Sequence, residues 1–295
     1  MDNAASLSVV NQNVKKQSNF KAIMKRLFRN HVAVMGLAII IVMTLIAVFS
    51  PLIMPYAYEE MDLRNMYSAP SMQHLFGTDE LGRDILSRLM YGARYSLSIG
   101  ILSVLASAVV GGLLGAVAGY YGGMTDNIIM RLLDILSAFP GILLSIVISA
   151  VLGAGFDKCI IALAIGTIPN YTRIIRGSVM SVKQMEYLEA ATSINCGNAR
   201  IILRHVIPNC VSPLIVQATM GVANAILVAA SLSFIGLGVQ PPEPEWGAML
   251  SAGRNYIRDY PHMVLFPGIA IMIAVLSLNM LGDGLRDALD PKLKS

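Results

Sequence analysis

The sequence predicts an all-α membrane protein with six transmembrane helices, and three observations carry that expectation. Of its 295 residues, 55% are hydrophobic and only 14% are charged, with a mean hydropathy of +0.64; an ordinary soluble domain carries about a quarter charged residues. Several apolar runs reach the roughly 20 residues that a helix needs to cross a hydrocarbon core of about 30 Å. These runs are unbroken Leu/Ile/Val stretches without the alternation of a barrel strand, and backbone in lipid must be helical or closed into a barrel.

Residues 1–31 are polar and hold Lys15, Lys16, Lys21, Lys25, Arg26 and Arg29, as expected of a cytoplasmic N-terminal segment. The apolar run 32–54 is longer than the roughly 7 to 15 residue core of a cleaved signal peptide, so it is expected to stay in place as the first span. Residues 55–96 then form an exported loop. Gly77 and Gly82 permit turns there, and Ile85, Leu86, Leu89 and Met90 make the apolar face of a short helix expected to lie on the outer membrane surface. Asp79, Arg83, Asp84, Arg88 and Arg94 give that segment its polar side.

Residues 97–285 are read as a five-helix core, with spans over Leu97 to Ala118, Asn127 to Leu152, Cys159 to Met180, Val211 to Ile235 and Met263 to Leu281. In the second span Ser103, Ser107, Gly111, Gly115 and Gly119 recur every fourth residue, a small-residue ridge that lets another backbone approach closely. The third span contains Arg131 and Asp134, which cost about +2.5 to +3.5 kcal/mol each at a helix centre. Fifteen Leu, Ile, Val and Phe at about −0.3 to −0.6 kcal/mol each outweigh that cost. The two charges, three apart near the cytoplasmic start, are expected to form an ion pair at the membrane edge. The fourth span is interrupted by Pro169, Asn170, Tyr171, Thr172 and Arg173, so it is expected inside the assembly and away from lipid. Polarity within spans marks Asn170, Tyr171, Gln217 and Asn224 as candidates for lining a translocation path.

Between spans four and five, residues 183–207 read as helix, turn, helix. Met185, Leu188 and Ala191 share a stripe, Asn195 and Gly197 suit a tight turn, and Pro208 suits the first turn of the fifth span. In the second exported loop, 236–262, Pro241, Pro242 and Pro244 stiffen the chain, and Trp246 suits a membrane interface. Arg286, Lys292 and Lys294 mark residues 286–295 as a cytoplasmic tail, on the same side as Arg173, Arg176, Lys183, Arg200 and Arg204. Six spans place both termini in the cytoplasm.

Glu189-Ala190-Ala191, with Pro208 nineteen residues after Glu189, resembles the coupling motif of ABC importer permeases; where that motif has a turn glycine this chain has Asn195, with Gly197 two residues on. The stretch from Phe76 to Arg94 resembles the first exported loop of peptide and nickel importer permeases. Ser233 to Gly247 and Leu281 to Pro291 are similar to that family's second exported loop and tail. The likeness covers almost the whole chain, and the run from Pro208 to Gln217 looks more like the dipeptide branch than the nickel branch. It implies a type I ABC importer permease in a bacterial inner membrane, carrying di- or oligopeptides, with a nickel or metal-chelate importer as the alternative. It further implies that Glu189, Ala190, Ala191, Asn195, Gly197 and Pro208 build the contact to the ATPase. The implied partners are a homologous permease, two ATP-binding subunits that hold ATP and Mg, and an external peptide-binding protein.

The sequence lacks GxxxxGK[ST], HExxH and GxSxG, so it holds neither a phosphate-cradling loop nor the commonest zinc-protease or serine-hydrolase layouts. No catalytic residue, cofactor or metal site is expected: Cys159, Cys196 and Cys210 have no CxxC spacing, and His31, His74, His205 and His262 are scattered. The formal charge of +4 comes without a basic stripe interleaved with aromatics, so nucleic acid is not an expected partner. An ion-coupled secondary transporter is a remote alternative, with Asp134 as its sole candidate carboxylate. An intramembrane enzyme would need a nucleophile with a base, or a metal pair, within the spans.

Overall fold

The computed structural model describes residues 19–186 and 196–289. Among these, the only β-type pairing is an isolated bridge between Thr78 and Asp84. The chain opens with α1 (Asn19–Arg29), turns at Asn30, whose side chain accepts hydrogen bonds from the amides of Val32 and Ala33, and continues as α2 (His31–Ile53). After the first loop come α3 (Ile85–Tyr121), α4 (Gly123–Ser137), α5 (Gly141–Leu152) and α6 (Phe156–Lys183). A short α7 (Asn198–Ile201) leads through a π-helical turn (Ile202–Val206) into α8 (Ile207–Phe234); α9 (Trp246–Gly253) and α10 (His262–Leu289) follow.

The bundle has two ends. A loop face holds residues 54–84 and 235–261. A connector face lies where α6 ends and α7 begins. α10 returns to the connector face beside the start of α2, where Leu27, Ala33 and Ala288 share a core with Leu281 and Leu285. Large apolar side chains such as Leu45, Ile101, Leu105, Leu132, Val147 and Leu276 point outward. Such a surface suits lipid as the surrounding solvent, because in lipid an outward Leu loses nothing.

Four helical runs are each long and apolar enough to cross a membrane: α2, α3, Ile202–Phe234 and α10. The α4–α5 pair is bent by 84° and makes a fifth if taken as one pass. The structure therefore supplies four or five apolar passes where six were expected. The bend falls at Pro140, which lacks an N–H and drives the residue before it out of helical dihedrals. α6 has 28 residues, but its centre from Pro169 to Arg173 is polar and packed by its neighbours: Pro169, Tyr171 and Thr172 are all buried.

The surface helix expected around Ile85 is absent as a separate element. Those residues are the first turns of α3, a continuous helix of 37 residues and so about 55 Å long, well beyond the hydrocarbon thickness. Their apolar side does not meet lipid, because Ile85 and Leu89 pack with Trp246, Met249 and Met263 in a core shared by α3, α9 and α10.

Among the described residues, α3 and α6 form the most extensive helix pair. Along α3, Ser103, Ser107, Gly111, Gly115 and Gly119 are all buried. A Cβ on Gly111, Gly115 or Gly119 would come within 2.8, 2.5 and 2.9 Å of the carbonyl oxygens of Ile168, Thr172 and Arg176 respectively. The three contacts step by four residues on both helices, as they must when two i,i+4 rows lie side by side. α3 ends at Gly122 and Gly123, both at positive φ (66° and 54°), which reverse the chain into α4.

Candidate functional site

Where α3, α5, α6 and α8 meet, a cleft of about 150 Å³ is lined by Ser103, Gly141, Ser145, Gly166, Thr167, Asn170 and Asn224 among a few apolar residues. On α6, Leu163, Gly166, Thr167 and Asn170 fall on one stripe at helical spacing. Ser103, Ser145 and Thr167 donate to carbonyls of their own helices, at 3.2, 3.1 and 3.0 Å. Their oxygen lone pairs are left for the cleft. Asn170 and Asn224 are exposed, and neither amide has a hydrogen-bond partner among the described residues. Two amides, three hydroxyls and two glycines make an uncharged surface that can donate to and accept from a backbone-like group.

The four polar residues singled out from the spans separate. Asn170 and Asn224 share the cleft. Gln217 lies two turns before Asn224 on α8, half-buried and outside the cleft lining. Tyr171 is turned away: it is 2% exposed and packs with Val104, Ala108 and Ala225, its hydroxyl end against Gly221. Ser103 is read from the sequence only as part of the packing ridge, and Ser145 and Thr167 carry no signal because each is an ordinary helix hydroxyl in sequence; only the convergence of four helices makes the three a set.

The α6 end of the site is tied to α4 by charge. Arg176 grips Asp126 with two hydrogen bonds, of 2.5 and 2.6 Å, and Arg173 reaches both Asp134 and Ser137 at 2.9 Å. The expected Arg131–Asp134 pair does not form; Asp134 is taken by Arg173 of the neighbouring helix, and Arg131 stays exposed. The two ties differ in weight. Asp126 and Arg176 are 16% and 29% exposed at their side chains, while Asp134 and Arg173 are 57% and 42% exposed. Asp126→Asn is expected to lower stability in detergent by about 2 kcal/mol, because a half-buried guanidinium loses a bidentate charged partner. Asp134→Asn is expected to change it by no more than about 0.5 kcal/mol, since solvent screens the pair. Thermal unfolding of both variants checks the contrast.

Further along the connector face, Lys183 donates to the Tyr120 carbonyl and the Tyr120 hydroxyl to the Asn198 side chain. Gly197 is exposed just before α7. Pro208 occupies the first turn of α8. The π-helical turn directly before it has a local cause: a proline ring crowds the carbonyl four residues back, here that of Arg204, and a widened turn moves that carbonyl aside. Glu189, Ala190, Ala191 and Asn195 lie outside the described residues.

On the loop face four of the five charged residues expected on the polar side of this segment, Asp79, Arg83, Asp84 and Arg88, are interior, while Arg94 is exposed. Asp84 caps α3 by accepting from the Ser87 amide and hydroxyl at 2.7 and 2.8 Å, and it meets His74 at 3.0 Å. Asp79 holds Arg83 at 2.7 Å and faces Arg88 at 3.5 Å, while Arg88 donates to the Tyr58 carbonyl. Asp79, Arg83, Asp84 and Arg88 are all under 8% exposed. Such residues hold the loop together and present little of themselves to a visitor. Trp246 departs from its expected place at a membrane interface. It is 1% exposed, and its indole N–H donates to the Leu89 carbonyl at 3.0 Å. Glu245 beside it, equally buried, accepts from Ser96 and from the Ala248 amide that it caps.

Comparison with known proteins finds relatives along almost the full length. Residues 111–295 match the family described as binding-protein-dependent transport system inner membrane component, and residues 18–70 match the N-terminal TM domain of oligopeptide transport permease C. The dipeptide transport system permease protein DppC of Alkalihalophilus pseudofirmus is 48% identical over 278 residues, covering 94% of this chain and 91% of that one. The glutathione transport system permease protein GsiD of Pectobacterium atrosepticum is 47% identical over 272 residues, covering 92% and 90%. Among solved structures, the MetNI methionine ABC transporter in inward facing conformations shares the fold, with a TM-score of 0.56 at 17% identity over 70% of this chain and 98% of that one.

Proposed function

Because this chain belongs to the family of binding-protein-dependent transport system inner membrane components, we propose that it is the permease subunit of an ATP-driven importer of di- and oligopeptides. The observation that carries this reading is its 48% identity, over 94% of its length, to a dipeptide permease, joined by near-equal identity to a permease for glutathione, itself a short peptide. Amide side chains at the cleft suit such a cargo, since Asn170 and Asn224 offer both a donor and an acceptor to a peptide group.

In this reading the chain makes six passes: α2, α3, the bent α4–α5 pair, α6, the run into α8, and α10. The broken and polar passes lie against other helices. The connector face carries Arg26, Arg29, Arg173, Arg176, Lys183, Arg200 and Arg204, and so faces the cytoplasm with both chain ends. A second, homologous permease completes the path, and an external binding protein delivers peptide to the loop face. Two ATP-binding subunits hold ATP and Mg and take up the segment with Glu189, Ala190, Ala191, Asn195, Gly197 and Pro208. Closure of those subunits displaces the segment, and α6 carries the displacement to the cleft because Gly111, Gly115 and Gly119 lock it to α3.

Two experiments test the proposal. Purification of the tagged chain in mild detergent is expected to recover a second permease and two ATPases, with peptide-stimulated hydrolysis that Glu189→Ala uncouples. Isolation of the chain alone, with uptake in ATP-free vesicles under an ion gradient, would replace the reading with ion coupling. In uptake assays, Asn170→Leu and Asn224→Leu are each expected to raise the half-saturating peptide concentration or cut the rate about tenfold, as loss of a hydrogen bond to a desolvated peptide group allows. Tyr171→Phe, which changes a group turned away from the cleft, is expected to leave uptake within about twofold. Unchanged kinetics for both asparagine variants would remove the cleft from the path.

A further inference from the structure

At the connector face, a cavity of about 320 Å³ opens between α1, the start of α2 and the end of α10, lined by Arg26, Arg29, Asn30, Gly284, Asp287 and Ala288. We infer that this cavity binds the headgroup of an anionic phospholipid.

Charge and position carry the inference together. α1 lays Ile23, Met24 and Leu27 against Leu281, Leu285 and Ala288, which turns its basic residues outward. Among the described residues neither Arg26 nor Arg29 forms an ion pair, Asp287 included. Lys25 and Arg286 are exposed nearby, and Asp283 and Asp287 only partly offset these cations. Beside the cavity, Phe28, Val32 and Met35 are 56%, 53% and 54% exposed, a continuous apolar strip running from α1 onto α2. A charged pocket that adjoins an apolar strip at the start of a membrane pass fits a ligand with an anionic head and acyl chains.

The carboxylate narrows the head. Two arginines with one carboxylate leave a single net positive charge in the lining, which suits a phosphodiester bearing one negative charge, and free phosphate has no acyl chains to use the apolar strip. Asp287 can also accept from a headgroup hydroxyl, as in phosphatidylglycerol.

The test uses the full chain, purified in detergent and exchanged against phosphatidylglycerol, phosphatidylcholine or phosphatidylethanolamine of matched acyl chains, with retained lipid counted by native mass spectrometry. Phosphatidylglycerol is expected to be retained preferentially, and inorganic phosphate at millimolar concentration is expected not to displace it. Each arginine is worth about fivefold in affinity, so Arg26→Gln with Arg29→Gln is expected to lose about 25-fold. The charge-matched control, Arg64→Gln with Lys158→Gln at exposed positions elsewhere, is expected to bind as the parent does. If the double variant does not stay monodisperse, Arg29→Gln alone at its exposed position carries the test, with about a fivefold loss expected. Equal retention of all three lipids, full retention by the arginine variants, or displacement by phosphate would each overturn the inference.

Discussion

Gly115→Ala is expected to be the most damaging alanine substitution along the ridge that joins α3 to α6. The added methyl would stand 2.5 Å from the Thr172 carbonyl oxygen and 3.0 Å from the Arg176 amide nitrogen. Both are backbone atoms in a helix that cannot step aside without breaking its own hydrogen bonds, so α3 and α6 must separate. Overpacking in a core costs about 1 to 3 kcal/mol where side chains can adjust. With backbone on both sides the expected loss is at the top of that range, about 3 kcal/mol. Gly112→Ala supplies the control. Its Cβ would find only the tip of Leu214, 4.0 Å away, while alanine gains about 0.5 to 1 kcal/mol over glycine in a helix. Unfolding midpoints in detergent are therefore expected to fall sharply for Gly115→Ala and to hold or rise for Gly112→Ala. Equal effects would mean that the two helices do not meet along this ridge.

Trp246→Ala is expected to cost about 4 kcal/mol, within the range measured for emptying an aromatic core position. The indole is 1% exposed and sits in the core that joins α3, α8, α9 and α10, so the loss spreads to every element of the loop face. The Leu89 carbonyl also loses the donor it now has at 3.0 Å. Trp246→Phe keeps much of the volume and is expected to cost about half as much. Because Trp246 is the only tryptophan, the parent protein reports on its own burial: its emission is expected to be blue-shifted and resistant to iodide. Easy quenching by iodide would place the residue at a surface.

The fold class was legible because lipid imposes one rule on every pass, and a long apolar run satisfies that rule locally. α2 and α3 could be read from such runs, and the small-residue ridge could be read as a helix-packing surface from its period of four. What escaped depends on partners distant in sequence. Asp134 has Arg131 one turn away, yet Arg173 from another helix takes it, because the i,i+3 reach on one helix competes with a direct approach across two. The segment from Asp79 to Arg88 reads as amphipathic, which is correct for its pattern and wrong for its place: Asp79, Arg83, Asp84 and Arg88 are buried because Asp79 answers the two arginines and His74 answers Asp84. Of the four polar span residues, periodicity could have separated Tyr171 from Asn170, since adjacent helical positions point about 100° apart.

The π-helical turn at Ile202–Val206 fixes a phase relation. It stores one residue more than an α-helix would need over the same path, and each residue in a helix is worth about 100° of rotation. Deleting a single residue there would let α7 and α8 fuse into one regular rod with α7 facing as it does now, whereas a deletion in the regular helix between the turn and Asn224 would rotate α7 by more than a quarter revolution relative to Asn224. α7 and the Asn224 amide thus keep their phase across an irregular turn that takes up the extra residue, and that phase is lost to a one-residue indel in the regular part of α8 more readily than to most substitutions.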